Sequence, residues 1–183
     1  MTKIDTKGWK PFKIDALFRR LEMKCLKPDF KKALDASDEP TEEFSLPLVN
    51  AKHFNNGIMY YGRPADFDSE EMTIDIVQNG AIATGDVYAQ PQRTGVLWDA
   101  YLIKPKDEIK SKSTLFFLAT CLEKAIKDRF GYNDKCVWEK VRKLSVSLPV
   151  AKDGTPDYAY MADYIERLQK RVRQSVEMLL ATI

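Results

Sequence analysis

One histidine, His53, is all the chain contains. That excludes metal centres built on paired imidazoles. A Ser-His-Asp hydrolase would have to rest on that single residue, which is ordinarily a surface or packing histidine. Cysteine is scarce as well. Cys25, Cys121 and Cys136 are odd in number, far apart and without C-x-x-C spacing. Neither a zinc ribbon nor a disulfide frame is expected, and reduced thiols in a cytoplasm are. Glycine patterns that cradle phosphates are missing, with no G-x-G-x-x-G and no G-x-x-x-x-G-K-[ST], and there is no G-x-S-x-G elbow. No apolar run approaches the ~20 residues of a membrane span. The opening "MTKIDTKGWKPF" lacks an apolar signal core, so a cytoplasmic protein without membrane contact is expected.

What is present suits a packed domain. The 183 residues are 44% hydrophobic, enough for one core with or without an appendage. The net charge of +2 conceals segregation: residues 1–32 carry +6, residues 33–91 carry −9 and residues 92–183 carry +5. Solvated surface is the ordinary meaning of such charge. A near-neutral total still allows basic groups to gather on one face toward a polyanion.

Hydrophobic periodicity predicts an α+β fold: a mixed, mostly antiparallel sheet with short helices, followed by a long C-terminal helix. "WKPFKI" reads as a strand, and Leu17, Phe18, Leu21 and Cys25 place a short helix from about Asp15. "DASDEPTEE" reads as an acidic surface loop. "FSLPLVNA", "GIMYYG" and "MTIDIV" read as strands, and the Asn-Gly of "QNG" signals a hairpin turn into "AIATGDVYAQ". "VLWDAYLIKP" reads as one further strand. In "STLFFLATCLEKAIKDRFGY", Leu115, Leu118, Ala119, Leu122 and Ile126 share a helical face, with Gly131 as the stop. "VWEKVRKL" is a second short helix and "LSVSLPV" an alternating strand. In "KDGTP", Thr155 is placed as helix cap and Pro156 as first helical residue.

The final helix carries Met161, Ile165, Leu168, Val172, Val176, Leu179 and Ile183 at steps of four and three, a straight apolar stripe. No later segment of this sequence can cover it. The stripe either packs on its own domain or, as expected here, pairs with a helix of another chain.

Two pairs match the Glu-x-Lys of metal-dependent nucleases by letter, Glu22–Lys24 and Glu108–Lys110. Neither has an Asp placed on a neighbouring strand, so a binder is favoured over a catalyst. Two polar loops suit contact with base edges. "NAKHFNNGIMYYGR" carries Lys52, Asn55, Asn56 and Arg63, and "ATGDVYAQPQRTG" with its surroundings carries Gln90, Gln92 and Arg93. Asn and Gln match the donor–acceptor edge of adenine, Arg that of guanine, and Lys neutralises phosphate. The same letters are also plain turn chemistry.

"GWKPFKIDALFRRLEMK", "GIMYYGR", "NGAIATGDVYAQPQRTG", "FFLATCLEKAIKDRFGY" with "WEKVRKLSVSLPV", and "DGTPDYAYMADYIERL" together, in that order, resemble a target recognition domain of a type I restriction-modification specificity subunit. The resemblance implies a non-catalytic unit that reads one half of a split DNA sequence. It also implies a spacer helix that docks methyltransferase subunits, which hold S-adenosylmethionine, with a restriction subunit as a further partner. Whole specificity subunits carry two such units and this sequence has room for one, so the resemblance implies either a half-size subunit, expected to act as a homodimer, or a fragment of a longer one. On this reading residues 1–152 form the recognition domain and residues 153–183 the spacer and dimerisation helix. This chain itself needs no metal and no cofactor. The rivals are a small metal-dependent nuclease using Glu108 and Lys110, and a protein–protein adaptor without DNA contact.

Overall fold

Ten short strands, five α-helices and two single 3-10 turns occur among residues 4–131 and 133–181, which the computed structural model describes. In chain order the strands and α-helices are β1 (Lys10–Lys13), α1 (Ile14–Leu17), β2 (Phe18–Arg20), α2 (Lys32–Asp35), β3 (Ala36–Ser37), β4 (Leu46–Val49), β5 (Ile58–Gly62), β6 (Thr73–Val77), β7 (Val87–Gln90), β8 (Gly95–Val96), β9 (Ala100–Pro105), α3 (Lys112–Ile126), α4 (Trp138–Val141), β10 (Ser145–Leu148) and α5 (Tyr158–Leu180). One antiparallel sheet has the order β2-β9-β6-β7. A second has the order β3-β5-β4-β8, antiparallel except for the β4–β8 pair, and β1 with β10 forms a separate ribbon. The expected class is the observed one: mixed, mostly antiparallel, with short helices and a long terminal helix.

The core sits between the first sheet and α3. Leu115, Leu118, Ala119, Leu122 and Ile126 of the predicted stripe are all buried, and burying each leucine or isoleucine stabilises by about 1.5–3 kcal/mol. Ser111 starts this helix by accepting the Thr114 N–H. In β6, Ile74 and Ile76 belong to that core. By alternation Thr73 and Asp75 lie on the opposite face.

Local expectations fail where long-range pairing overrides them. The helix placed from Asp15 is one turn, because Phe18–Arg20 pairs with Pro105–Ile103 of β9. The Asn79-Gly80 pair has no positive φ; β6 and β7 are joined by a longer loop in which Gly85 does, at φ 83°. "VLWDAYLIKP" is broken at Leu97–Asp99, so β8 and β9 serve different sheets. Helix α3 stops at Ile126, before Gly131. Asp35 of the acidic loop is only 6% exposed. The Lys31 N–H at 2.8 Å holds its carboxyl below the usual carboxylate range, with Lys27 and Arg63 assisting.

Helix α5 starts later than expected. Thr155 turns onto the Asp153 carboxylate through both its N–H and its hydroxyl, and Pro156 bridges Val150. The cap is Asp157, which accepts the Tyr160 N–H. Met161 is fully buried, and Phe117 meets Tyr160 and Tyr164 edge-on at 6.4 and 5.8 Å. Ile165 and Leu168 are half-buried, and from Lys170 to Ala181 every residue is exposed. The stripe therefore packs on its own body at Met161 and Ile165 and is solvent-exposed at Val172, Val176 and Leu179. Ile183 lies outside the described residues. No helix among the described residues is long and apolar enough to cross a membrane.

Candidate nucleic-acid interface

The expected reading loops meet along β7, the outer strand of the first sheet. The segment between β4 and β5 runs beside it. His53 Nδ1 lies 2.7 Å from Asp86 Oδ2, the Phe54 N–H donates to the Tyr88 hydroxyl at 2.9 Å, and Asn56 Nδ2 donates to the Ala89 carbonyl at 3.1 Å. Four consecutive residues of this segment are left-handed: Phe54 (φ 67°), Asn55 (φ 48°), Asn56 (φ 53°) and Gly57 (φ 74°). Asparagine and glycine accept that region readily, which is the physical content of the "NNG" signal. Phenylalanine does not: at ψ −169° it sits where almost only glycine is found.

Gly57 is required for a second reason. A Cβ there would fall inside contact distance of Asp75 Oδ2 and 2.9 Å from the Tyr88 ring. Asp75 lies under the loop with no exposure, and neither carboxylate oxygen has a hydrogen-bond partner among the described residues. Burial raises its carboxyl well above the usual range, and the nearby Asp86 adds to this. Burial likewise pushes the Tyr88 hydroxyl up to about 12. Asp86 is shared by His53, Lys127 and the Tyr88 hydroxyl, so it ties the loop to the end of α3.

Of the seven expected DNA-contact residues, three form one hydrogen-bonded set. Asn56 Nδ2 and Gln92 Nε2 both donate to Gln90 Oε1, at 3.1 and 2.9 Å, and Gln90 Nε2 donates back to the Asn56 carbonyl at 2.7 Å. Gln90 has no exposure, so its amide orders its neighbours and presents no edge to solvent. Lys52, Asn55, Asn56, Gln92 and Arg93 are exposed along this face. Asn55 spends one N–H on the Ile58 carbonyl, and Arg93 leans on Ser69 at 3.3–3.4 Å.

Arg63 is placed apart from this set. It binds Glu43, Asp35 and Asp66, donates to the Leu34 carbonyl, and covers the Phe44 ring at 4.4 Å. Such a guanidinium ties α2 and the segment before β4 to the end of β5 and has little left for a base. The residues that sequence reasoning missed are Phe54, Asp75, Asp86 and Tyr88. An aspartate inside the β-branched run "TIDIV" was the one visible sign of the buried carboxyl. Glu108 and Lys110 pair only with each other on an open loop, each 82% exposed. Among the described residues no three His, Cys, Asp or Glu gather as a metal would require.

Residues 6–178 match the family described as the type I restriction modification DNA specificity domain. The specificity subunit of a type II restriction enzyme of Heyndrickxia coagulans is 24% identical over 167 residues, which is 90% of this chain and 45% of that protein. The S subunit of the type I restriction-modification system of M. genitalium superposes on 98% of this chain with a TM-score of 0.60 at 16% identity, covering 44% of that subunit. The HsdS subunit of Thermoanaerobacter tengcongensis covers 94% of this chain with a TM-score of 0.53 at 11% identity, and 40% of its own length is matched. The chain thus spans less than half the length of each.

Proposed function

The chain belongs to the type I restriction modification DNA specificity domain family, and we propose that it reads one half-site of double-stranded DNA through the face along β7 for a methyltransferase. Members of this family are specificity subunits without a catalytic centre, so the work is positioning. Lys52 and Arg93 neutralise phosphate or meet a guanine, and Asn55 and Gln92 offer amide edges to adenine, while Asn56, with both amide N–H groups given to Ala89 and Gln90, holds the loop in place. The observation that carries the reading is the match over residues 6–178, joined to a loop face that presents those side chains together.

A second copy supplies the other half-site. The exposed end of α5, with Val172 and Val176 exposed at 56 and 47%, is the surface through which two copies pair. A twofold dimer would favour an inverted repeat as target. The expected division at residue 152 falls in the turn before α5. The change from packed to bare falls within the helix, after Gln169, and we place the partner-facing part there. The methyltransferase subunit docks against the paired helices and holds S-adenosylmethionine; a restriction subunit is a further partner of that assembly.

Gel shifts of the purified chain on mixed-sequence duplex DNA test the reading. A shift at low salt that weakens steeply as salt rises supports it. No shift at low salt favours an adaptor without DNA contact. Cleavage by the chain alone with Mg²⁺ would favour a nuclease.

A further inference from the structure

We propose, resting on the DNA-recognition reading above, that Phe54 is a nucleobase-stacking residue whose ring enters the bound duplex at a base step. Three observations converge on it. The side chain is 73% exposed, on the same short segment as exposed Lys52 and Asn55. Its backbone sits at φ 67° and ψ −169°, a conformation that glycine would occupy without strain. The strain is held from both sides. Tyr88 accepts the Phe54 N–H at 2.9 Å, the Phe54 carbonyl accepts the Gly57 N–H at 3.0 Å, and the His53 ring braces the phenyl ring at 3.9 Å while Asp86 anchors the imidazole.

A residue kept in this conformation only to turn the chain would be a glycine. A phenylalanine kept for packing would be covered. What the arrangement retains is an exposed aromatic face pinned at a fixed position beside groups that suit phosphate and base edges. An aromatic face recognises a base face by stacking, and apolar side chains enter duplexes by parting a base step.

The test uses the full chain and a duplex selected by it from a random pool, with binding followed by fluorescence anisotropy over a salt series. Phe54→Ala should weaken binding roughly five- to a hundred-fold, leaving the salt dependence unchanged. Lys52→Ala should instead lower the salt slope by about one. Phe54→Trp should bind within about threefold of wild type, with tryptophan emission quenched by DNA more than the native tryptophans are. Phe54→Gly should lose affinity as alanine does and melt no lower than wild type, because the strained position suits glycine. Phe54→Ala binding within about twofold of wild type overturns the proposal, whatever it does to methyltransferase docking. A Phe54→Gly variant that melts lower overturns it by making the ring structural. A wild-type chain that fails to bind DNA at all overturns the recognition reading and this one together.

Discussion

Gly57→Ala tests the loop that carries the proposed interface. Two costs add. Gly57 sits at φ +74°, where a Cβ costs about 1–2 kcal/mol. The new methyl would also be driven into the buried Asp75 carboxyl and the Tyr88 ring, and overpacking of this kind costs about 1–3 kcal/mol. The sum is a destabilisation of about 2–5 kcal/mol. A chain of 183 residues has an unfolding entropy near 0.4 kcal/mol/K at ~2.1 cal/mol/K per residue, so the melting midpoint should fall by about 5–13 °C. Calorimetry measures this directly. Repeating the substitution on an Asp75→Ala background removes the oxygen in the way, and the penalty should shrink by about 1 kcal/mol or more. A midpoint within about 1 °C of wild type, or an equal penalty on both backgrounds, would refute the argument.

Four more outcomes are expected. Asp75→Asn should be more stable than wild type at pH 7. The folded carboxyl is raised above its unfolded value near ~3.9, so the folded state holds the extra proton and wild-type stability falls as pH rises from about 4; urea titrations from pH 4 to 8 should show the gap closing toward acid. Met161→Ala should cost about 2–5 kcal/mol in the same assay, because Met161 is fully buried at the root of α5. Val172→Glu should leave stability within about 0.5 kcal/mol, since the site is bare, and should leave a monomer in sedimentation; a persisting dimer refutes pairing through that helix. Arg93→Ala should relax preference at one base pair by about 1–3 kcal/mol in competition binding, and an unchanged preference makes Arg93 a mere support.

Much of the architecture was legible because it is written in local periods. The stripe of α3, the alternation of β10 and the β-branched run of β6 each have one low-cost solution. Illegible features depended on partners distant in sequence. Phe18–Arg20 is helical by spacing and a strand because β9 lies beside it. "VLWDAYLIKP" is continuous by composition and broken because its halves join different sheets. At the site, Asn56, Gln90 and Gln92 were identifiable by residue type, and their mutual bonding was not. Arg63 resembled Arg93 on paper; three carboxylates separate them in space. Phe54 carried no signal, since nothing in "HFNNG" says which way its ring faces.

The same segment that presents Phe54 also screens the margin of β7. A side-chain amide, Asn56 Nδ2, occupies the Ala89 carbonyl that an incoming strand would otherwise pair with. Sequence drift in the loop is thereby partitioned. On the proposed reading, outward positions 52, 54 and 55 can vary to change what is bound, whereas loss of Asn56 or a deletion would bare a hydrogen-bonding rim to neighbouring molecules. Variants bred for new targets that alter those outward positions alone should stay dispersed, and those that remove Asn56 should clump.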